Sequence, residues 1–356
     1  MDQITRPSDP NQLQWQVTLV SYSNDPLAFD ILWAISHALG DGMALASLLL
    51  SVAEPVKGNH KAIASVGRNT SDATPSLMNK LTQWLASGLI LIGGIFKVLR
   101  IIFWWGDAAS SLKAPSAAVL HRQEKLLRSR TFSLSRIKQA QIDGSTVNDV
   151  LVALVGGACD RILAERSDPV LQRSNPKMQA IVVMNHRGAP MKIEQGDAPL
   201  EGNVVTYVFV PIKLGGAQTP VSRLRGIREE IGRIKRSPEA AITALLNDLM
   251  FRTLPVSWFA AITQFLVAKG TVGVSTLRGP VKPVSFAGVE ITNLFNCVNP
   301  ISGVVVSCFT YYDQVTVSAT SGKKYLADPS KFLDFVEDEL AMLINSSEAK
   351  LDKKTQ

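Results

Sequence analysis

Cysteine is scarce in this sequence, and the scarcity excludes two kinds of architecture. The 356 residues include three cysteines, Cys159, Cys297 and Cys308, and no two of them form a CxxC pair. An odd, sparse count argues against a disulfide scaffold and against a structural zinc site. The sequence is typical of a protein from a reducing compartment.

Charged residues are also few, at 19% against 46% hydrophobic residues, which excludes a globally disordered chain. Basic residues outnumber acidic ones by 37 to 30, so the net charge is +7. This excess favours anionic partners such as phosphates or acidic lipid surfaces. Nucleic acid is not expected as a partner, because the basic clusters at 121–138 and 223–236 contain a single aromatic residue, Phe132, and no nucleic-acid-binding motif is present. Solvated helix faces are the simpler explanation of both clusters.

Alternating apolar residues predict an antiparallel β-hairpin near the start of the chain. One strand is predicted at 13–22 and another at 29–36, with the turn signal Asn24-Asp25-Pro26 between them. The residues expected on one side of each strand are Trp15, Val17 and Leu19 in the first, and Ile31, Trp33 and Ile35 in the second. A helix is predicted directly after the second strand.

Strands and helices follow one another downstream without strict alternation. Further strands are predicted at 179–185, 203–213, 303–310 and 313–319, and further helices at 147–165, 219–236, 241–269 with a break at Pro255, and 330–344. This mixture predicts an α/β fold with a mixed sheet, flanked by helices, in each of two domains. The expected divisions are a first domain at 1–105, a linker at 106–121, a second domain at 122–345 and a disordered tail at 346–356.

The most apolar stretch is 85–105, which has the length of about 20 residues that a membrane-spanning helix needs. Lys97 and Arg100 lie near its end, and each cation at mid-bilayer costs roughly 2.5–3.5 kcal/mol. The final Phe103-Trp104-Trp105 suits a membrane–water boundary. Three interpretations stay open: a helix lying in the interface, a spanning helix, and a buried core helix.

The segment HALGDG at 37–42 carries the residues best suited to chemistry. His37 follows a strand end, and a neutral imidazole can take a proton from a hydroxyl near neutral pH. Gly40 and Gly42 allow a tight turn into the next helix. Asp41 could orient His37, cap the helix or pair with an arginine. A histidine of the core beside a helix cap is the competing interpretation.

Longer matches to a known family extend this motif. SHALGDGMALASLLLS resembles the HHxxxDG motif of the wax ester synthase/diacylglycerol acyltransferase family, especially its plant-type members. GSTVNDVLVALVGGA resembles the family's TVND-containing helix, and EGNVVTYVFVPIKL resembles its Gly-Asn strand. The run from VSTLRGPVKPVSFAGVEI to DPSKFLDFVEDEL resembles the family's C-terminal region. The matches are in order from residue 13 to 345.

The resemblance implies two chloramphenicol-acetyltransferase-like domains and an O-acyltransferase. His37 corresponds to the catalytic histidine, and Ser36, Asp41 and Gly42 to the rest of the motif. The acyl group would pass from fatty acyl-CoA, a co-substrate, to a long-chain alcohol or diacylglycerol, with no cofactor and no metal. Asn148 is a candidate oxyanion donor, although a hydrogen bond at the helix N-terminus is at least as good an explanation. Asn203 lines the cleft or ends a strand.

Two departures from the family pattern leave alternatives open. Ser36 stands where the family has the first histidine of its pair. The first domain is expected to be incomplete, because family members have further elements before the segment matching 13–22. A catalytically impaired lipid-binding remnant, or an acyltransferase for small soluble alcohols, are therefore the competing functions. The expected location is membrane-associated, on the cytosolic face of the endoplasmic reticulum or plasma membrane.

Overall fold

The computed structural model describes residues 13–56, 106–116, 123–185, 205–216, 218–237 and 239–355, together with residues 96, 99, 103, 119, 120 and 202. The strands are β1 (Trp15–Tyr22), β2 (Asp25–Ile35), β3 (Glu54–Pro55), β4 (Lys125–Ser133), β5 (Lys177–Asn185), β6 (Val205–Lys213), β7 (Val272–Arg278), β8 (Val284–Phe286), β9 (Val289–Glu290), β10 (Val304–Tyr311) and β11 (Gln314–Gly322). The helices are α1 (Gly42–Ser51), α2 (Leu134–Gln139), α3 (Val147–Glu165), α4 (Pro220–Arg236), α5 (Glu239–Thr253), α6 (Val256–Val267) and α7 (Pro329–Thr355).

The β1–β2 hairpin is present as the alternation predicts. The two strands are antiparallel, and the directly opposed pairs include Trp15 with Ile35, Val17 with Trp33, and Leu19 with Ile31. Directly opposed residues of an antiparallel pair project from the same face. The two predicted apolar sides therefore form one continuous face.

A six-stranded mixed sheet is the largest element of the fold, and its strand order is β4-β11-β10-β7-β5-β6. β7 is central and pairs in parallel with β10 and β5, whereas the outer pairs are antiparallel. This sheet, flanked by helices, confirms the predicted α/β class. The assignment of two domains, with the boundaries given above, stays a prediction.

Helices α2, α3, α4 and α7 cover one face of the sheet and bury the main core with it. α3 begins at a capping box in which the Thr146 hydroxyl and the Asp149 carboxylate each accept a backbone N–H hydrogen bond. Its sequence is apolar on all sides because sheet and helices surround it. On the opposite face of the sheet, α1 packs through Ala46 on Phe309 and Tyr311.

A buried ion-pair network fastens α4 to this core. The Arg223 guanidinium donates to Oδ2 of Asp160 at 2.9 Å and to Oε2 of Glu339 at 2.8 Å, which joins α4 to α3 and α7. All three side chains are nearly inaccessible to water. The Glu339 carboxyl has a raised pKa because burial outweighs the attraction of Arg223.

Several elements differ from the sequence expectation, including the short strands β3, β8 and β9, which were not predicted. α7 continues to Thr355, through the segment 346–355 expected to be a disordered tail, because SSEAKLDKKT contains neither glycine nor proline and is rich in helix formers. The central strand β7 was not predicted, since its sequence VGVSTLR begins with a glycine-containing tripeptide and shows little alternation.

The apolar segment 85–105 lies outside the described residues, apart from positions 96, 99 and 103. Its three interpretations therefore stay open. Within the ranges described above, no helix is both long enough and apolar enough to cross a bilayer.

We expect Arg223→Ala to lower the free energy of unfolding by about 3–5 kcal/mol, because it leaves two buried carboxylates without their cation. The exposed pair between Lys323 and Glu124, at 2.7 Å, is the matched control. Lys323→Ala should change the free energy of unfolding by about 1 kcal/mol or less. Urea titration of both variants measures the difference, and equal losses would contradict the assigned role of the buried network.

Candidate active site

His37 lies in a β-turn that the backbone holds on both sides. The Ser36 N–H donates to the carbonyl of Gln14 at 2.7 Å, which extends the β1–β2 ladder to the edge of the turn. The Leu39 N–H donates to the Ser36 carbonyl at 3.1 Å and closes the turn, with His37 at its second position. The His37 residue is exposed. The two backbone hydrogen bonds thus fix the turn, and His37 remains accessible to solvent within it.

Ser36 contributes to the same turn through its side chain. Its hydroxyl oxygen accepts a hydrogen bond from the Ala38 N–H at 3.4 Å. A side-chain hydroxyl that bonds two residues ahead favours a turn over continuation of the strand. The serine at this position of the motif is therefore compatible with the fold of the loop.

Asp41 is buried, at 1% exposure, and caps α1. Its Oδ1 accepts hydrogen bonds from the N–H groups of Met43 at 3.0 Å and Ala44 at 2.9 Å. A carboxylate at this position satisfies helix N–H groups that have no partner within the helix. Of the three roles that the sequence leaves open, helix capping is observed.

Three glycines let the motif loop approach distant parts of the chain. Gly40 forms a bridge with Gly202, and the Asp41 N–H donates to the Gly202 carbonyl at 3.3 Å. Gly202 has a φ of +70°, which favours glycine. At Gly42, a Cβ atom would lie 2.8 Å from Cδ1 of Leu277. The loop is thus seated against β7 and against the predicted Gly-Asn strand.

Contacts of aromatic side chains link the strands near the motif loop. The Trp33 ring of β2 meets the Phe286 ring of β8 edge-on, with centroids 6.4 Å apart. The Tyr311 hydroxyl donates to the Ile291 carbonyl at 2.7 Å and accepts from the Val284 N–H at 3.0 Å. Burial raises the pKa of Tyr311, so its hydroxyl stays neutral at physiological pH. These contacts join the hairpin that precedes His37 to the strands beside the main sheet.

The Asn148 side chain contacts β7 beside the residue that the motif loop approaches. The Thr276 hydroxyl donates to Oδ1 of Asn148 at 2.6 Å, whereas Gly42 approaches Leu277, the next residue of β7. Successive side chains of a strand project from opposite faces, so Asn148 and α1 meet the same end of β7 from opposite sides. No local sequence pattern pointed to Thr276, because its partner Asn148 lies 128 residues away along the chain.

Asn148 also lines a small cavity of about 30 Å³, together with Val182, Val183, Met184, Val208, Ile231, Ile234 and Lys235. Such a cavity holds about one or two water molecules. The adjacent Asp149 forms the cap of α3 described above. Asn203 lies outside the described residues, so its place in the cleft stays a prediction.

The buried thiols are poor nucleophiles. Burial, with a contribution from Asp160, raises the pKa of Cys159 to about 12, and burial raises that of Cys308 to about 12. A nucleophilic cysteine needs an accessible thiolate. Among the described side chains, no three His, Cys, Asp or Glu residues are grouped as metal ligands would be. Of the four histidines in the sequence, His37 is the one that lies in the described part of the chain.

Comparison with known proteins shows which proteins this chain is similar to. Residues 201–344 match the family model of the WS/DGAT C-terminal domain. Wax ester synthase/diacylglycerol acyltransferase 11 of Arabidopsis thaliana is 25% identical over 368 residues, covering 95% of this chain and 74% of the relative. Wax ester synthase/diacylglycerol acyltransferase 5 of the same plant is 24% identical over 369 residues, covering 95% and 73%.

A solved structure shares the fold. The wax ester synthase/diacylglycerol acyltransferase from Marinobacter aquaeolei VT8 matches with a TM-score of 0.58 and 15% identity, covering 98% of this chain and 75% of that chain. Residues 201–344 are therefore similar to the WS/DGAT C-terminal domain, and the resemblance of the chain to the wax ester synthase/diacylglycerol acyltransferase family, predicted from its motifs, is confirmed.

Proposed function

We propose that this chain transfers a fatty acyl group from acyl-CoA to the hydroxyl of a long-chain alcohol or diacylglycerol. The observation that carries the proposal is the position of His37, which is accessible at the second position of a turn fixed by β1, β2 and α1. The names of the relatives give the class of substrate. The products would be wax esters, triacylglycerol or both.

His37 acts as general base in a direct transfer. Its imidazole removes the proton from the acceptor hydroxyl, and the oxygen attacks the carbonyl carbon of the thioester. The C–S bond then breaks, and the imidazolium returns the proton to the departing thiolate of CoA. One ester and one free thiol result, with no covalent enzyme intermediate and no cofactor.

The transition state also needs donors for the developing oxyanion. Asn148 remains a predicted donor, but the described contacts of its side chain are with Thr276 and with a water-sized cavity. Its better-supported role is to position the N-terminus of α3. Asp41 contributes by holding α1, and hence the turn, in place.

We further propose that the enzyme works at a membrane, on the cytosolic face of the endoplasmic reticulum or plasma membrane. Acyl-CoA is a water-soluble anion, whereas long-chain alcohols and diacylglycerols partition into bilayers. The net charge of +7 suits both the CoA phosphates and an anionic lipid surface.

His37→Ala should lower the rate of ester formation by about 10²- to 10⁴-fold, the usual contribution of a general base. Transfer of labelled acyl groups from acyl-CoA to hexadecanol measures it. Ser51→Ala, at the far end of α1, is the control and should leave the rate unchanged. A His37→Ala enzyme that is folded and as active as the parent would exclude this mechanism.

Asp41→Ala should lower the free energy of unfolding by about 1 kcal/mol, because two N–H groups of α1 lose their acceptor. Asp41→Asn should recover the capping part of that loss, since the carboxamide oxygen can replace Oδ1. Thermal or urea unfolding of the two variants tests the cap. If alanine and asparagine are equally destabilising, capping is not what the aspartate contributes.

A panel of acceptors distinguishes the proposed function from its two alternatives. With labelled acyl-CoA, we expect ester from hexadecanol, from diacylglycerol or from both, and little from short soluble alcohols. Preference for short alcohols would indicate a different acceptor class. Retained lipid binding without ester from any acceptor would indicate a non-catalytic lipid-binding protein.

A further inference from the structure

Helices α5 and α6 form a hairpin, residues 239–267, that is apolar but little buried. The twelve residues of α6 include no charged side chain, yet Val267 is the one that is buried. In α5, among the side chains that the structure describes, Ile242 is the buried one. The hairpin is therefore fastened to the body at its two ends, Ile242 and Val267, and its tip projects.

Large exposed apolar side chains occur along the hairpin and include those of its tip. Val256 is 77% exposed and Trp258 is 64% exposed. The Phe251 ring meets the Phe259 ring edge-on at 5.6 Å between centroids, which holds the two helices together there. Exposed apolar side chains in such number are typical of a site that contacts another molecule or a membrane.

The charged residues differ between the tip and the base of the hairpin. Near the tip, Arg252 is neutralised by Asp248, with Nε 2.8 Å from Oδ2. No charged residue occurs between Arg252 and Lys269 in the sequence. At the base, the exposed Lys235 and Arg236 precede the hairpin, Glu239 is its first residue, and Lys269 follows it with its ammonium 4.5 Å from the centroid of the Phe265 ring. An apolar, neutral tip thus stands above a cationic base.

We propose that this hairpin docks the protein on an anionic phospholipid bilayer by inserting its tip among the acyl chains. Tryptophan favours the membrane interface, and an apolar helix surface gains from burial beneath the headgroups. The cations at the base, Lys235, Arg236 and Lys269, then lie at the level of the lipid phosphates. A second copy of the chain fits the base less well, because a symmetric contact would bring like charges together.

This proposal gives membrane contact to a segment other than 85–105, and it does not depend on acyl transfer. Sedimentation of the full chain with phosphatidylcholine vesicles, with and without phosphatidylserine, tests it in the absence of acyl-CoA and alcohol. Val256→Gln with Trp258→Gln should lower the partition coefficient onto the vesicles about tenfold or more, since the inserted apolar surface is lost. Lys235→Gln with Arg236→Gln should remove much of the preference for phosphatidylserine.

Leu13→Gln with Leu19→Gln is the matched control, because these residues are 79% and 66% exposed but lie at the β1–β2 hairpin. We expect its binding to equal that of the parent chain. Equal binding by the tip variant, or an equal loss in the control, would overturn the proposal. The proposal would also be overturned if light scattering showed that the parent chain is a dimer and that the tip variant is a monomer which still binds vesicles. Vesicle binding without ester formation would contradict only the proposed function.

Discussion

The close approach between the motif loop and two distant stretches of chain is the contact on which the candidate site depends. Gly40 meets Gly202 backbone to backbone, and Gly42 meets the side chain of Leu277 at a distance that leaves little room for a Cβ atom. A Cβ atom at Gly42 would require the end of the Leu277 side chain to shift, and a Cβ atom at Gly40 would lie 3.0 Å from Cβ of Ala44. The spacing of glycines in HALGDG is thus a packing requirement as well as a condition for the turn.

Around this contact, the motif residues have separate tasks. Ser36 shapes the turn, Asp41 caps α1, and His37 remains accessible for chemistry. Asp41 is buried beneath the helix end, which ties the direction of α1 to the backbone of the loop. The arrangement assigns helix capping and proton transfer to different side chains of one short segment, and the cap also holds the turn that carries His37.

The sequence predicted those parts of the fold that depend on local pattern. The β1–β2 hairpin followed from alternation and a turn signal, and α3 followed from a capping sequence before an apolar run. The strand β7 could not be recognised, because a central strand is defined by its neighbours rather than by its own alternation. The contacts of Gly40 with Gly202 and of Asn148 with Thr276 also escaped prediction, since local periodicity says nothing about partners so far apart. The role of His37 was predictable only through the ordered matches to a family that accompany it.

The central claim is that the His37 imidazole supplies the base for acyl transfer, and chemical rescue tests it most directly. Because His37 is exposed, free imidazole could reach the space that a glycine leaves. The measurement is ester formation from fatty acyl-CoA and hexadecanol by a His37→Gly variant, with increasing imidazole. We expect a large loss of turnover that imidazole partly restores in proportion to its concentration. Full activity of the variant without imidazole would contradict it.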